Sequence, residues 1–402
     1  MRTRVRWVFG QLTLPAAARN EQRHDAAGLP AEDPGNERVL PALFAWLARA
    51  QDRSASHDGG VARDFSLLDG WATSYPETTG YIIPTLLEWA RRTGEAEWRE
   101  RALRMADWLV GIQFQEGGFQ GGKIDSTPVV PVTFNTGQIL LGLVAAETET
   151  GHYHEPMTRA ADWLVRTQDE DGCWRRHGSP FADAADKQYD THVAWGLFEA
   201  ARIEPARGWG EAGLKNVRWA LSGQAPNGWF QSCCLSDRAQ PLTHTLGYAL
   251  RGVVEAWRFQ PASDLLAGAE RAALGIMSAL RPDGFLPGCL GPDWSPQADW
   301  ACLTGTVQIA HSWMLLSQIT GRADYLDAAR RANAFVRRTV RLDGPLDQRG
   351  GVKGSFPIDG EYGQWSYLNW APKFTADSLI LELDMTRQNG GAKLESPARG
   401  RQ

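Results

Sequence analysis

The sequence predicts an all-α protein built as a closed ring of six helical hairpins, an (α/α)6 toroid with six inner and six outer helices. Three observations predict it: a tryptophan-glutamine signature that recurs along the chain, glycine turns that follow it at a spacing of 54 to 60 residues, and an alternation between amphipathic and evenly apolar helical stretches. A period of that length holds two helices and their loops, and self-similarity at such a period marks repeat architectures.

The signature reads Trp46-Leu-x-x-x-Gln51, Trp108-Leu-x-x-x-Gln113, Trp163-Leu-x-x-x-Gln168 and Trp219-Ala-x-x-x-Gln224. Each closes a helical pattern and precedes a turn: Gly59-Gly60, Gly117-Gly118, Asp171-Gly172 and Asn227-Gly228, with degenerate forms at Asp283-Gly284 and Asp343-Gly344. The helices before the turns, such as Glu97 to Ile112 and Met157 to Thr167, carry charge on one side and belong on the outside of the ring. The helices between the turns run from Thr78 to Arg92, Asn135 to Thr148, Thr191 to Ile203, His244 to Phe259, Thr304 to Ile319 and Asn369 to Met385. They mix glycine with large apolar residues on every face, which suits buried inner helices. Val39 to Ala50 supplies the sixth outer helix and pairs with the last inner one. An open solenoid is the alternative, but no polar capping helix is evident, which favours closure.

The segments Gln113-x-x-x-Gly117-x-Phe119, Gln168-x-x-x-Gly172-x-Trp174 and Gln224-x-x-x-Gly228-x-Phe230 resemble the glutamine-tryptophan repeat of squalene cyclases and related prenyltransferase-type toroids. The repeat is similar also to helix-turn elements of glycan-processing (α/α)6 enzymes. The resemblance covers nearly the whole chain. It implies a structural role for the repeat, the glutamine amide bonding to backbone at a helix end while the aromatic packs on the next hairpin. It implies no activity, because a fold hosts many functions.

The chain has 402 residues, 43% of them hydrophobic and 22% charged, which excludes a disordered or fibrous protein. The ring is expected over 38–387, with a flexible segment at 1–37 and a disordered tail at 388–402. A formal net charge of −5 with no local basic patch argues against nucleic acid as a partner. No run of 18 apolar residues occurs, so no membrane span is expected. Five cysteines without a CxxC pair fit reduced thiols, and the start of the chain makes a poor signal peptide, so a cytoplasmic location is expected. No signature calls for a metal or a cofactor, and oligomeric state stays open.

Inner helices all point the same way, so their N-terminal ends converge on one mouth, the place to look for a site. Polar and aromatic residues cluster there: Trp71, Tyr75, Glu77 and Tyr81; Asn135 and Gln138; Tyr189, Asp190 and His192; His244 and Tyr248; Trp300 and Gln308; Lys353, Tyr362, Trp365, Tyr367, Asn369, Trp370 and Lys373. Sugars suit such a lining, since pyranose C–H faces lie on aromatic rings and hydroxyls need amide and carboxylate partners. A carbohydrate is therefore the expected substrate.

Two chemistries are open. His192 and His244, in the first turns of adjacent inner helices beside Tyr248, are candidates for proton transfer at a carbon next to a uronate carboxylate, as lyases and epimerases need. Lys353 or Lys373 would then neutralise the carboxylate. Glu77 and Asp190 form a carboxylate pair able to serve a glycoside hydrolase. Each also has a plain reading, the histidines as packed core groups and the acids as helix-end caps. A non-catalytic glycan-binding role in a polysaccharide assembly system survives beside both. Terpene cyclisation fits poorly, since an Asp-x-Asp-Asp acid needs adjacent aspartates and the chain has none. The glycine-rich stretch 350–360 lacks a phosphate-loop ending and reads instead as a loop over the mouth.

Overall fold

The computed structural model describes residues 14–182, 186–235 and 237–392. Helix α1 (Ala16–Ala26) precedes the ring. The outer helices are α2 (Asn36–Asp52), α4 (Ala96–Ile112), α6 (His154–Thr167), α8 (Trp209–Ser222), α10 (Ser263–Ser278) and α12 (Ala323–Thr339). The inner ones are α3 (Pro76–Thr93), α5 (Thr133–Thr150), α7 (Thr191–Ile203), α9 (Thr243–Phe259), α11 (Leu303–Thr320) and α13 (Trp370–Ala392). Each inner helix packs on the next, and α13 packs on both α3 and α2, so the ring is closed.

The repeat is stapled as its residues imply. Gln113 Nε2 donates to the Gly117 carbonyl of its own turn and to the Pro156 carbonyl of the next outer helix, both at 3.0 Å. Gln168 and Gln224 do the same to Gly172 and Ala212 and to Gly228 and Gly268. Gln51 reaches Gly59 and Arg101. One amide thus satisfies carbonyls in two successive hairpins, which sets the rotation between them. The turn glycine has two reasons to be glycine: at Gly117 φ is +108°, and a Cβ there would lie 2.3 Å from the Arg159 carbonyl oxygen.

Inner helices approach closely where they cross. A Cβ on Gly142 would lie 2.2 Å from the Gly80 carbonyl oxygen, and one on Gly305 would lie 2.5 Å from the His244 backbone nitrogen. Those crossings bring the first turns of neighbouring inner helices together at the mouth. There two small sheets stitch the loops: β1 (Asp64–Ser66) pairs antiparallel with β2 (Gly70–Trp71) and with β5 (Ser366–Leu368), and β3 (Ala301–Cys302) pairs with β4 (Ser355–Phe356). The β1–β5 register, Phe65 opposite Tyr367, joins the first hairpin to the last and closes the ring a second time.

The N-terminal stretch read as flexible differs from that expectation over its described part. Helix α1 lies on the loop before α13 and buries Glu21 and Asp25 against Lys353, whose ammonium donates to Glu21 at 2.9 Å and to Asp25. Asp33 accepts from the Arg337 guanidinium, Nε at 2.8 Å. Residues 1–13 and 393–402 lie outside the described residues, while 388–392 continue α13. No described helix is long and apolar enough to cross a membrane.

Candidate active site

A cavity of about 240 Å³ opens at the mouth, walled by Arg63, Tyr75, Glu77, Tyr81, Phe134, Asn135, Tyr189, His244, Thr245, Tyr248, Tyr362 and Trp370, with Ser179, Phe181, Ala182 and Leu235 at its edge. Helical periodicity explains the wall. Glu77 and Tyr81, and likewise His244 and Tyr248, stand four residues apart and so share the face of their helix that looks into the ring. Each pair puts the titratable group in the first turn and a tyrosine one turn deeper.

Glu77 is 8% exposed and accepts from the Tyr75 hydroxyl at 2.9 Å through Oε2. Burial pushes its carboxyl up to about 7, against the opposing pull of that hydrogen bond and of the Arg63 charge. His244 Nδ1 lies 2.8 Å from Gln308 Oε1, which assigns the ring proton to Nδ1 and leaves Nε2 with a lone pair. Burial pushes this imidazole down to about 4, so it is neutral at pH 7. The two groups that define the cavity chemically are therefore an acid that titrates near neutrality and a neutral base.

His192 has the same kind of partner, Nδ1 being 2.6 Å from Gln138 Oε1. It does not reach the cavity. The Tyr248 ring lies between the two imidazoles, 4.5 Å from His192 and 4.4 Å from His244 by centroids, and His192 is 1% exposed. Burial and the charges of Arg251 and Lys373 hold it well below the usual imidazole range. The expectation that Gln138 and Gln308 line the site for ligand becomes a different assignment: each fixes a histidine tautomer. Burial raises the Tyr248 hydroxyl well above its ordinary range, which keeps it a protonated phenol at the wall.

The Tyr81 and Tyr248 hydroxyls neighbour one another, and they and the Asn135 amide nitrogen are buried with no hydrogen-bond partner of good geometry. Buried polar atoms are rarely left unpaired, and three converging on one cavity mark where a ligand's hydroxyls would go. Trp370 donates to the Tyr362 hydroxyl at 2.9 Å and carries the Arg63 guanidinium 5.3 Å over its ring. Arg63, half exposed, is ion-paired with Asp64 at the mouth.

Several expected ligand contacts lie elsewhere. Lys353 is 1% exposed in its ion pairs under α1. Tyr367 sits in β5 with its ring in the core, and Asn369 donates to the Ala62 carbonyl at 2.8 Å. Trp300 fills the space against Gly288 and Gly360. Trp365 adopts a left-handed φ of +62° in a loop where its carbonyl holds the Leu67 amide. Lys373 bonds Asp377 at 2.7 Å in a separate chamber at the other end of the ring, divided from the mouth by Tyr81. Asp190 lies in a 3-10 turn outside the cavity wall; burial pushes it up to about 7, with Lys187 opposing. It caps no helix through its side chain. Arg63, Phe134, Ser179, Phe181, Ala182, Leu235 and Thr245 line the cavity beyond the expected set. Phe134 and Thr245 had a signal, since each adjoins an expected residue in a first turn.

No family model matches the sequence, and no curated protein matches it. Solved structures do match in fold. An unsaturated glucuronyl hydrolase specific for heparin matches with a TM-score of 0.70 at 16% identity, over 89% of this chain and 99% of its own. An unsaturated glucuronyl hydrolase from Bacillus sp. GL1, described as responsible for the degradation of glycosaminoglycan, gives 0.67 at 14% identity over 91% and 100%. A cellobiose 2-epimerase from Bacillus thermoamylovorans gives 0.66 at 12% identity over 90% and 98%. At these identities the likeness is one of fold, the (α/α)6 toroid.

Proposed function

We propose that this protein is a carbohydrate-active enzyme that acts on a terminal residue of an acidic oligo- or polysaccharide by proton transfer, with His244 as base and Glu77 as acid. The observation that carries this reading is the presence on one cavity wall of a carboxyl titrating near 7 and a neutral imidazole with a free Nε2. Such pairs of displaced pKa values mark acid and base roles. His244 Nε2 would take the proton from the carbon beside the uronate carboxylate, whose charge Arg63 would meet. In elimination, Glu77 would give its proton to the departing glycosidic oxygen as that C–O bond breaks and a C=C bond forms. In epimerisation, it would return a proton to the same carbon. A cavity of about 240 Å³ is smaller than the roughly 300–1,000 Å³ typical of drug-sized ligands, which supports a single sugar ring at a chain end.

The test is deuterium incorporation at that carbon in D₂O, followed together with absorbance of the unsaturated product on a panel of uronate-containing oligosaccharides. Absorbance, with neither hydrogen nor deuterium left on that carbon of the product, supports elimination, and deuterium at that carbon without absorbance supports epimerisation. New reducing ends with neither would sink the proposal.

A hydrolase with Glu77 and Asp190 as its pair is disfavoured, because Asp190 is off the cavity wall. Hydrolysis with Glu77 alone is favoured by one observation, the likeness to two unsaturated glucuronyl hydrolases. An enol ether needs one acid to protonate its double bond and a water to add to the cation so formed, and its turnover would remove the ultraviolet absorbance. Binding without turnover would leave the glycan-binding reading.

A further inference from the structure

The mouth holds a second chamber beside the first. It measures about 610 Å³ and is lined by Arg63, Asp64, Ser66, Asp69, Gly70, Trp71, Ala72, Tyr75, Gly122, Lys123, Ser126 and Phe181. Arg63, Tyr75 and Phe181 belong to both walls, so the two spaces share a boundary rather than lying on separate faces. The β1–β2 hairpin forms one side. Its Trp71 is braced from behind by Trp46 and Phe65, at ring centroids of 5.3 and 5.1 Å, and its indole nitrogen is buried without a hydrogen-bond partner. The opposite side is the loop that carries Lys123 and Ser126. Phe181, more than half exposed, stands at the shared edge.

We infer that this outer chamber is the subsite for the sugar next to the reacting one, so that the substrate is a disaccharide or longer chain held across Arg63, with Trp71 and Phe181 as apolar surfaces. The inference rests on the reading of the inner cavity as the reacting-sugar site. Three features carry it. The inner cavity has room for one ring. The outer chamber is larger, polar and continuous with it. Trp71, whose buried Nε1 has no partner, lines that chamber and offers a donor to a neighbouring ring's hydroxyl, while the cations there are already paired, Arg63 with Asp64 and Lys123 with Asp125. Trp71, rigidly backed, loses little conformational freedom when a ring stacks on it.

The test compares two probes by titration calorimetry: a disaccharide whose reducing-end residue is a 4-linked uronic acid methyl glycoside, and the methyl glycoside of that uronic acid alone. The wild-type protein should bind the disaccharide about tenfold more tightly, a difference of about 1.4 kcal/mol. Trp71→Ala should bring the two within about twofold of each other while leaving the methyl glycoside unchanged. Because Trp71 also packs on Trp46, Ser126→Trp serves as a second variant; it fills the outer chamber from the loop side and should abolish the same preference. Equal affinities in the wild type, no binding of either probe, or an undiminished preference in Ser126→Trp would overturn the inference. Binding with the expected preference but no turnover would overturn the proposed activity and leave the subsite standing.

Discussion

Two histidine–glutamine pairs sit side by side in this ring, and only one of them meets the cavity. His244 leans on Gln308 of the helix after it, His192 on Gln138 of the helix before it, and each imidazole is in the first turn of its helix with Nδ1 tied to an amide oxygen. The Tyr248 ring separates them. Burial depresses both, but His192 is pushed further by the charges of Arg251 and Lys373, while His244 is held at about 4 by burial against the opposing Gln308 bond. One aromatic ring thus turns equivalent chemistry into a candidate base on one side and a core group on the other.

The sharpest way to break that contrast is to remove each imidazole. His244→Ala should lower kcat by about 10²- to 10⁴-fold, the usual contribution of a positioned base, whereas His192→Phe, which keeps a ring beside Tyr248, should leave kcat within a few-fold. Equal losses in a steady-state assay would mean that Tyr248 does not isolate His192.

Glu77→Gln is next. With His244 required neutral and Glu77 required protonated, activity should rise through about pH 4 and fall through about pH 7. The variant should lose about 10²-fold in kcat, and its residual activity should lack the alkaline limb. Stability moves the other way. The folded carboxyl titrates near 7 and the unfolded one near 4.5, so the folded state is favoured by the neutral acid below 4.5 and loses that advantage as pH rises through 7. Above pH 7 Glu77→Gln should therefore be more stable than the wild type by roughly 3 kcal/mol, with little difference at pH 4.5, as urea unfolding at the two pH values would reveal.

The smallest effects distinguish the amides. Gln308→Leu frees the His244 tautomer and should cost about tenfold in kcat, in line with the loss of an orienting partner. Gln138→Leu strands His192 Nδ1 in the core and should cost about 1–3 kcal/mol of stability at unchanged kcat. If the two leucine variants behaved alike in both assays, the contrast between the pairs would be wrong.

The ring was legible in the sequence because its determinants are local: a glutamine four residues before a glycine of positive φ repeats the same staple, and periodicity separates inner from outer helices. Glu77, Tyr81, Asn135, His244 and Tyr248 were legible for the same reason, since first-turn positions of parallel inner helices must converge. The loop before α13 was not. Lys353 looked like a mouth cation, but its partners Glu21 and Asp25 lie more than 300 residues away on a helix that the composition made look flexible. Their spacing of four was the available signal for a helix face with two acids. Arg63 escaped because its place depends on the pairing of β1 with β5, a contact between opposite ends of the chain.

That pairing bears on how the molecule comes apart. A stack of repeats with free ends frays from those ends, each hairpin leaving its neighbour in turn. Here α13 packs on α2 and α3 while β5 zips to β1, so no hairpin is terminal. Melting has to begin by tearing a seam, and until it tears every hairpin is held from both sides. Loss of the α2–α13 joint would convert a single cooperative transition into sequential peeling, and the mouth, which borrows residues from both sides of that joint, would be the first part to lose its shape.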